Sequence, residues 1–270
     1  MIYLNGVNPD GSFVAASYEN PLRHGKDELA DKLRTGIREA EVAFFDLDGT
    51  LASAAKYLIS KAVGTSRRNH EYIGWVVKTL IRAAGVRLYR GVEAQVVDLE
   101  RRTDAYLGIF IDRVSRRRVE EFFVEGGVPD RSIVDLLELG CQNGLVYPGV
   151  SEFHEDYGEL NPGGERVLIT RNIPSAARYF GERLGFDQVF FYESDKARKV
   201  RRFAEDNSGV SRYLVVGDSG SDADMVNVLE SMGKNVTSVQ VMKRPRRKMN
   251  SAFDFAVSRN WGGLLELLNE

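Results

Sequence analysis

The chain has 270 residues, a soft prior of one to two domains at ~150 residues each, and 43% of them are hydrophobic, which excludes a disordered chain. Lys+Arg number 37 and Asp+Glu 39, a formal charge of −2 with a pI near 6.1, which excludes nucleic-acid binding through bulk positive charge. The single cysteine, Cys141, excludes an internal disulfide or a Cys-rich zinc site, and His24, His70 and His154 are too scattered to suggest a metal cluster.

Segments 1–7 and 12–17 suggest a small hairpin, and 27–40 an amphipathic helix built on Leu29, Leu33 and Ile37. This stretch, 1–40, is expected to pack on the core as an N-terminal extension. Residues 41–45 (EVAFF) open a series of five β-branched or aromatic runs, continued at 166–170, 188–192, 213–217 and 236–241. The runs do not alternate and are bounded by Gly or Asp, so they read as strands buried on both faces. Segments 175–184, 196–206 and 221–232 read as crossover helices between the later strands, and 262–268 as a last helix. Strand and helix in alternation predict an α/β protein with a doubly wound parallel sheet.

The first and second strands break the rhythm, since about 120 residues separate them, far beyond an ordinary crossover. Helices are expected there at 54–62, 69–84, 92–109, 115–124 and 131–142, with apolar residues three and four apart, as at Ile73, Val76, Val77, Leu80 and Ile81. An all-helical inserted domain over 53–145 follows, leaving 41–52 and 146–270 as the core. Over 55–145 there are 15 Lys+Arg against 12 Asp+Glu, whereas the remainder holds 22 against 27. The insert therefore leans basic and the core acidic.

The sharpest local feature is Asp46-Leu47-Asp48-Gly49-Thr50-Leu51 at the end of the first strand. Two carboxylates so placed are costly without a cation or partner, and Gly49 lets the chain turn sharply. Alone, the motif also fits a calcium-binding turn or an Asx-capped loop. Gly217-Asp218-Ser219-Gly220-Ser221-Asp222 ends the fourth strand in the same manner. In one parallel sheet Asp46, Asp48, Asp218 and Asp222 converge on one edge, and four carboxylates with oxygen-only ligation suit Mg2+. Thr170, followed by Arg171 and Asn172, ends the second strand, and Lys196 opens the helix after the third. A hydroxyl and an ammonium at that edge suit a phosphoryl group.

These pieces in this order resemble the haloacid dehalogenase-like (HAD) hydrolase superfamily, whose pattern is DxDGT, a Ser/Thr, a Lys and GDxxxD. Over 41–270 the corresponding residues are Asp46-Leu47-Asp48-Gly49-Thr50, Thr170, Lys196 and Gly217-Asp218 with Asp222. The resemblance implies a HAD-like Rossmannoid core with a helical C1-type cap over 53–145, Tyr147-Pro148-Gly149-Val150 marking the return from it. It implies that Asp46 attacks phosphorus to form an aspartyl-phosphate, and that Asp48 protonates the leaving oxygen and then activates water. Thr170 and Lys196 would bind phosphoryl oxygens. Asp218 would hold Mg2+ together with the Asp46 carboxylate and the Asp48 backbone carbonyl, with Asp222 as ligand or orienter. Gly49, Thr50, Arg171 and Asn172 complete the substrate-binding set. An acid at Asp48 favours phosphate chemistry over dehalogenation within that family. Lys199, one turn beyond Lys196, competes for its role, and Asp224 for that of Asp222; helix opening and family spacing favour the first of each pair.

Other features have plainer readings. Arg67-Arg68, Arg101-Arg102 and Arg116-Arg117-Arg118 read as solvated helix faces, with contact to an anionic substrate as the sharper alternative. The run 243–248 (KRPRRK) reads as a solvated loop, or as a contact to a substrate anion or a nucleic acid; Arg171 is the better substrate candidate. Cys141 reads as a small buried hydrophobe, Trp75 as cap core and His70 as surface. The expected activity is a Mg2+-dependent phosphatase of a small phosphorylated metabolite. The alternatives are a phosphotransferase or mutase, or a non-catalytic phosphate-binding module. No nucleic-acid or membrane partner is expected, and the protein should be a cytoplasmic monomer or homodimer, because no apolar run reaches ~18 residues and Asn5, Asn8 and Asp10 stand where a signal peptide would be apolar.

Overall fold

Every residue of 42–45 (VAFF) is buried, and alternate side chains of this strand feed opposite faces of one sheet. The structure is a computed structural model and describes residues 2–16, 26–54, 58, 130–193, 195–243 and 249–269. In chain order the elements are β1 (Ile2–Val7), β2 (Phe13–Ala16), α1 (Lys26–Arg38), β3 (Val42–Phe45), α2 (Asp130–Gln142), α3 (Val150–Leu160), β4 (Glu165–Ile169) and α4 (Pro174–Arg183). They continue as β5 (Gln188–Phe190), α5 (Lys196–Asp206), β6 (Arg212–Gly217), α6 (Gly220–Ser231), β7 (Asn235–Met242), β8 (Phe255–Ser258) and α7 (Gly262–Asn269).

All eight strands form one sheet in the order β1-β2-β8-β7-β6-β3-β4-β5. The six from β8 to β5 run parallel, and β2 joins β8 antiparallel with β1 outside it. From β3 the chain builds outward through β4 and β5, then returns to add β6, β7 and β8 on the other side. The reversal at β3 creates a crevice at the carboxyl ends of β3, β4 and β6, where open α/β sheets take their ligands.

On one face Phe44 packs edge-on to Phe203 of α5 and stacks on Tyr213, with Val200, Met225, Val226 and Leu229 around them. On the other, Phe45 meets His154 at 5.0 Å and Phe186 at 5.5 Å, and Phe153 of α3 packs on Trp261. The hairpin is tied to the chain's other end by Asn8 Nδ2 donating to Glu266, while Arg34 of α1 donates to the Leu267 carbonyl at 2.7 Å. No helix among the described residues is long and apolar enough to cross a membrane.

The doubly wound α/β expectation holds, with three differences. The sheet is mixed, because the hairpin extends it antiparallel. β8 was not expected: four residues give a weak signal, and pairing with β7 and β2 makes them a strand. Nor was α3, whose buried Val150, Phe153, His154 and Tyr157 carry helical spacing with polar-looking residues at two of the four positions. The chain divides into two units, 1–54 with 130–270, and 55–129. Helix α2, expected in the insert, lies in the first. Tyr179 of α4 donates to Glu138 and contacts Cys141 at 3.5 Å, and Arg183 pairs with Glu138 at 3.1 Å. Cys141 is half-buried there. Ala54 and Leu58 are helical. The rest of the helices expected over 55–124, the three arginine clusters, His24, His70, Trp75 and 244–248 lie outside the described residues.

His154 is buried among Phe45, Phe153 and Phe186, and neither ring nitrogen has a hydrogen-bond partner among the described residues. Burial, then the charge of Arg166, pulls its pKa from 6.5 to about 3. Between those values the unfolded chain takes up a proton that the folded one refuses. This contribution to stability is therefore whole above pH 6.5 and is lost as pH falls toward 3, about 2 kcal/mol of it by pH 5. Urea unfolding at pH 7 and pH 5 should show the wild type losing that much more than His154→Phe. Equal losses would contradict a neutral, caged imidazole.

Candidate active site

Directly after β3 the backbone N–H of Asp46 donates to the Val216 carbonyl of β6 at 3.0 Å, so the ladder continues to the first carboxylate. Leu51 and Ala52 then donate back to the Leu47 carbonyl, closing a tight loop with Gly49 at φ 92°. A Cβ on Gly49 would stand 2.0 Å from Asp218 Oδ2, and one on Gly217 2.3 Å from the Asp222 Cβ. Glycine at 49 lets the two acidic loops meet, and glycine at 217 lets Asp222 fold back over its own turn. Two segments of the first unit are clasped beside them: Ser53 N–H donates to the Leu145 carbonyl, Tyr147 N–H to the Leu51 carbonyl, and the Ser53 and Tyr147 hydroxyls bond at 2.8 Å.

Lys196 is the organiser. It opens α5 behind the N-cap Asp195 and is 2% exposed. Its Nζ donates to Asp46 Oδ1 at 2.5 Å and to Asp222 Oδ1 at 2.6 Å. The other oxygen of Asp222 accepts from the Asp218 and Ser219 backbone N–H groups and from the Ser219 hydroxyl, so this carboxylate is fully engaged. Asp46, Asp218 and Asp222 each bring a carboxylate oxygen within 4.8 Å of the others. Burial, with Asp222 and Asp218 adding to it against Lys196, drives the Asp46 pKa well above the ordinary carboxylate range. Burial and Asp222 likewise raise Asp218 to about 6. For Lys196 the desolvation that lowers its pKa is outweighed by Asp46 and Asp222, and the ammonium stays charged. One buried cation against three carboxylates leaves an excess of negative charge, and an all-oxygen donor set of this kind fits a hard divalent ion.

Asp48 has a different environment. It is half-buried, and its Oδ2 accepts from Asn172 Nδ2 at 2.9 Å. Asn172 N–H in turn donates to Thr170 Oγ1 at 3.1 Å, and Thr50 Oγ1 to Asp46 Oδ2 at 3.4 Å. Arg171, between Thr170 and Asn172, is half-buried. The expected residues thus gather at three adjacent strand ends and the start of α5. The Asp48 carboxylate is outside the metal-competent trio, consistent with a backbone contribution from that residue.

The two competing residues separate by burial. Lys199 sits over the Phe190 ring at 3.9 Å, and Asp224 is exposed, whereas Lys196 and Asp222 are buried in the cluster. Arg259 was missed: its guanidinium lies 3.7 Å from Asp218 Oδ2 and over the Tyr147 ring at 5.0 Å. It follows β8 directly, so recognising that strand would have placed it at this edge.

No sequence-family profile and no curated protein matches the chain. Among solved structures, a substrate-bound phosphoserine phosphatase is similar at 15% identity, with 86% of this chain and 98% of that one covered and a TM-score of 0.48. A HAD-superfamily hydrolase of subfamily IA from Geobacter sulfurreducens gives 18%, 85%, 100% and 0.42. The L-2-haloacid dehalogenase from Xanthobacter autotrophicus gives 18%, 77%, 79% and 0.37.

Removing Lys196 strands two buried carboxylates. Lys196→Met should cost about 3–5 kcal/mol in urea unfolding at pH 7, and Lys199→Met, which loses a cation–π contact from a half-buried side chain, about 0.5–1 kcal/mol. Equal costs would mean that Lys196 does not hold the cluster together.

Proposed function

We propose that the protein hydrolyses phosphate monoesters through a phosphorylated Asp46. The observation that carries this reading is the unequal treatment of two carboxylates in one loop: Asp46 is buried on Lys196, and Asp48 is half-buried on Asn172. Neighbouring titratable groups held in contrasting environments mark a division of labour between nucleophile and acid–base.

Asp46 attacks phosphorus as the bond to the leaving oxygen breaks, and Asp48 gives that oxygen its proton. Water then attacks phosphorus, Asp48 takes its proton, and the bond from phosphorus to Asp46 breaks to release inorganic phosphate. Dividing the reaction this way replaces one hard displacement by two easier ones. Lys196 holds Asp46 in place through Oδ1 and offsets charge that would repel an anionic ester. Thr170 stands at the adjacent strand end, with its hydroxyl aligned by the Asn172 N–H. Asp46, Asp218 and the Asp48 carbonyl would hold Mg2+, with Asp222 fixing Lys196 and the Asp218 loop. When bound, the ion would neutralise phosphoryl charge and draw the ester toward Asp46. A small phosphorylated metabolite as substrate, a cytoplasmic location and a helical cap over the site belong to the same reading.

Asp46→Asn should abolish release of p-nitrophenol from p-nitrophenyl phosphate with the melting temperature retained, and Asp48→Asn should lower kcat by about 10²–10⁴-fold. Chelation should stop turnover and added Mg2+ restore it. Wild-type rates in Asp46→Asn would sink the mechanism.

A further inference from the structure

Beside the carboxylate cluster a cleft of about 650 Å³ follows the carboxyl ends of β6, β7 and β8. Its lining runs from Asp218 and Ser219 past Gln240 and Met242 to Asn250 and Arg259. The walls are tied by hydrogen bonds across the strand ends. Asn250 N–H donates to Gln240 Oε1 at 2.8 Å, and Arg259 N–H to the Met242 carbonyl at 3.2 Å. The space lies within the ~300–1,000 Å³ of small-molecule sites, well above what one phosphoryl group fills.

The charges of this cleft are informative. Besides Asp218, its ionisable lining residues among those described are both cations, Arg259 and the exposed Lys243. Arg259 approaches Asp218 only to 3.7 Å, beyond hydrogen-bond range, and is steadied by the Tyr147 ring. Its Nε is buried with no hydrogen-bond partner among the described residues. A buried guanidinium N–H without an acceptor is costly, and the planar fork of arginine matches a carboxylate or phosphate. The side chain as a whole keeps 32% of its surface exposed, so an anion arriving in the cleft can reach the guanidinium.

We infer that Arg259, with Lys243, forms a subsite for a second anionic group, so that the preferred substrate is a small phosphate monoester that also carries a carboxylate or another phosphate. This rests on the monoesterase reading and names its substrate class. The scissile phosphoryl group goes to Asp46 and Lys196, and the remote anion goes to the cleft beyond Asp218. Uniform binding of this kind would lower KM and sort substrates, leaving the chemistry at Asp46 unchanged.

The test is calorimetric, in the non-hydrolysing Asp46→Asn protein with Mg2+, using propyl phosphate, 3-carboxypropyl phosphate and propane-1,3-diyl bisphosphate. At least one doubly anionic ester should bind about tenfold more tightly than propyl phosphate, a difference of about 1.4 kcal/mol. Whichever wins separates a carboxylate subsite from a phosphate one. Adding Arg259→Gln should shrink the preference below about threefold, and Lys243→Gln, a change on an exposed side chain, should reduce it by about half or more at low salt. Lys243→Gln decides the matter if Arg259→Gln does not fold. Equal binding of all three esters overturns the inference, and so does a preference that survives the folded variants. If Arg259 served only to balance Asp218, its loss would weaken every ester alike, which also overturns it. Hydrolysis of the same esters by the wild-type protein is followed separately. Its absence would remove the monoesterase reading, whereas a binding preference lost with Arg259 would still support the subsite.

Discussion

A single ammonium, Lys196 Nζ, joins three segments far apart in the sequence: the loop after β3 through Asp46, the start of α5, and the first turn of α6 through Asp222. Desolvating three charged groups costs several kcal/mol per ion, which only close geometry and further hydrogen bonds offset. Asp222 meets that condition with its three additional donors, and Asp46 only in part, through Thr50. Asp222 is thus the more fully bonded carboxylate and Asp46 the less satisfied one. Apolar residues could fill the same space, so the chain retains charge here at an energetic disadvantage, as reactive centres do.

The position of Asp46 depends on how its strand is held. Phe44 and Phe45 leave opposite faces of β3 and are gripped by different aromatic sets, Phe203 and Tyr213 on one side, Phe153, His154, Tyr157 and Phe186 on the other. A strand with large rings packed on both faces, and parallel neighbours on both edges, cannot slip in register. Asp46 inherits that rigidity because its own N–H extends the ladder to β6. Glycine at 49 then allows the acidic loops to approach more closely than a side chain would permit, and glycine at 217 leaves room for Asp222 within its own turn.

Much of this was legible in the sequence because it is local. Apolar runs that do not alternate mark the parallel strands, and acids after two of them mark a shared edge. What stayed hidden depends on partners distant along the chain. The segment 255–258 becomes a strand by pairing on both sides, and without it Arg259 has no address. Helix α3 hides its buried face because His154 and Tyr157 read as polar. The spacing of Lys196 and Lys199 cannot say which is buried; packing sends one to the carboxylates and the other to the Phe190 ring. The cleft beside Asp218 is invisible to any local motif, since its lining comes from three strand ends and a loop.

The N-terminal hairpin has a further consequence. Without it, β8 would close the parallel sheet with four buried residues and a bare row of N–H and C=O groups, a template for pairing with another chain. β2 covers that row, with Val14 opposite Val257, and β1 becomes the new rim. The pairing joins positions some 243 residues apart, among the longest-range contacts in the molecule, so loop-closure entropy sets it late in folding. The hairpin precedes its partner strand by more than two hundred residues, so the sheet acquires its protective border only once β8 is available to pair.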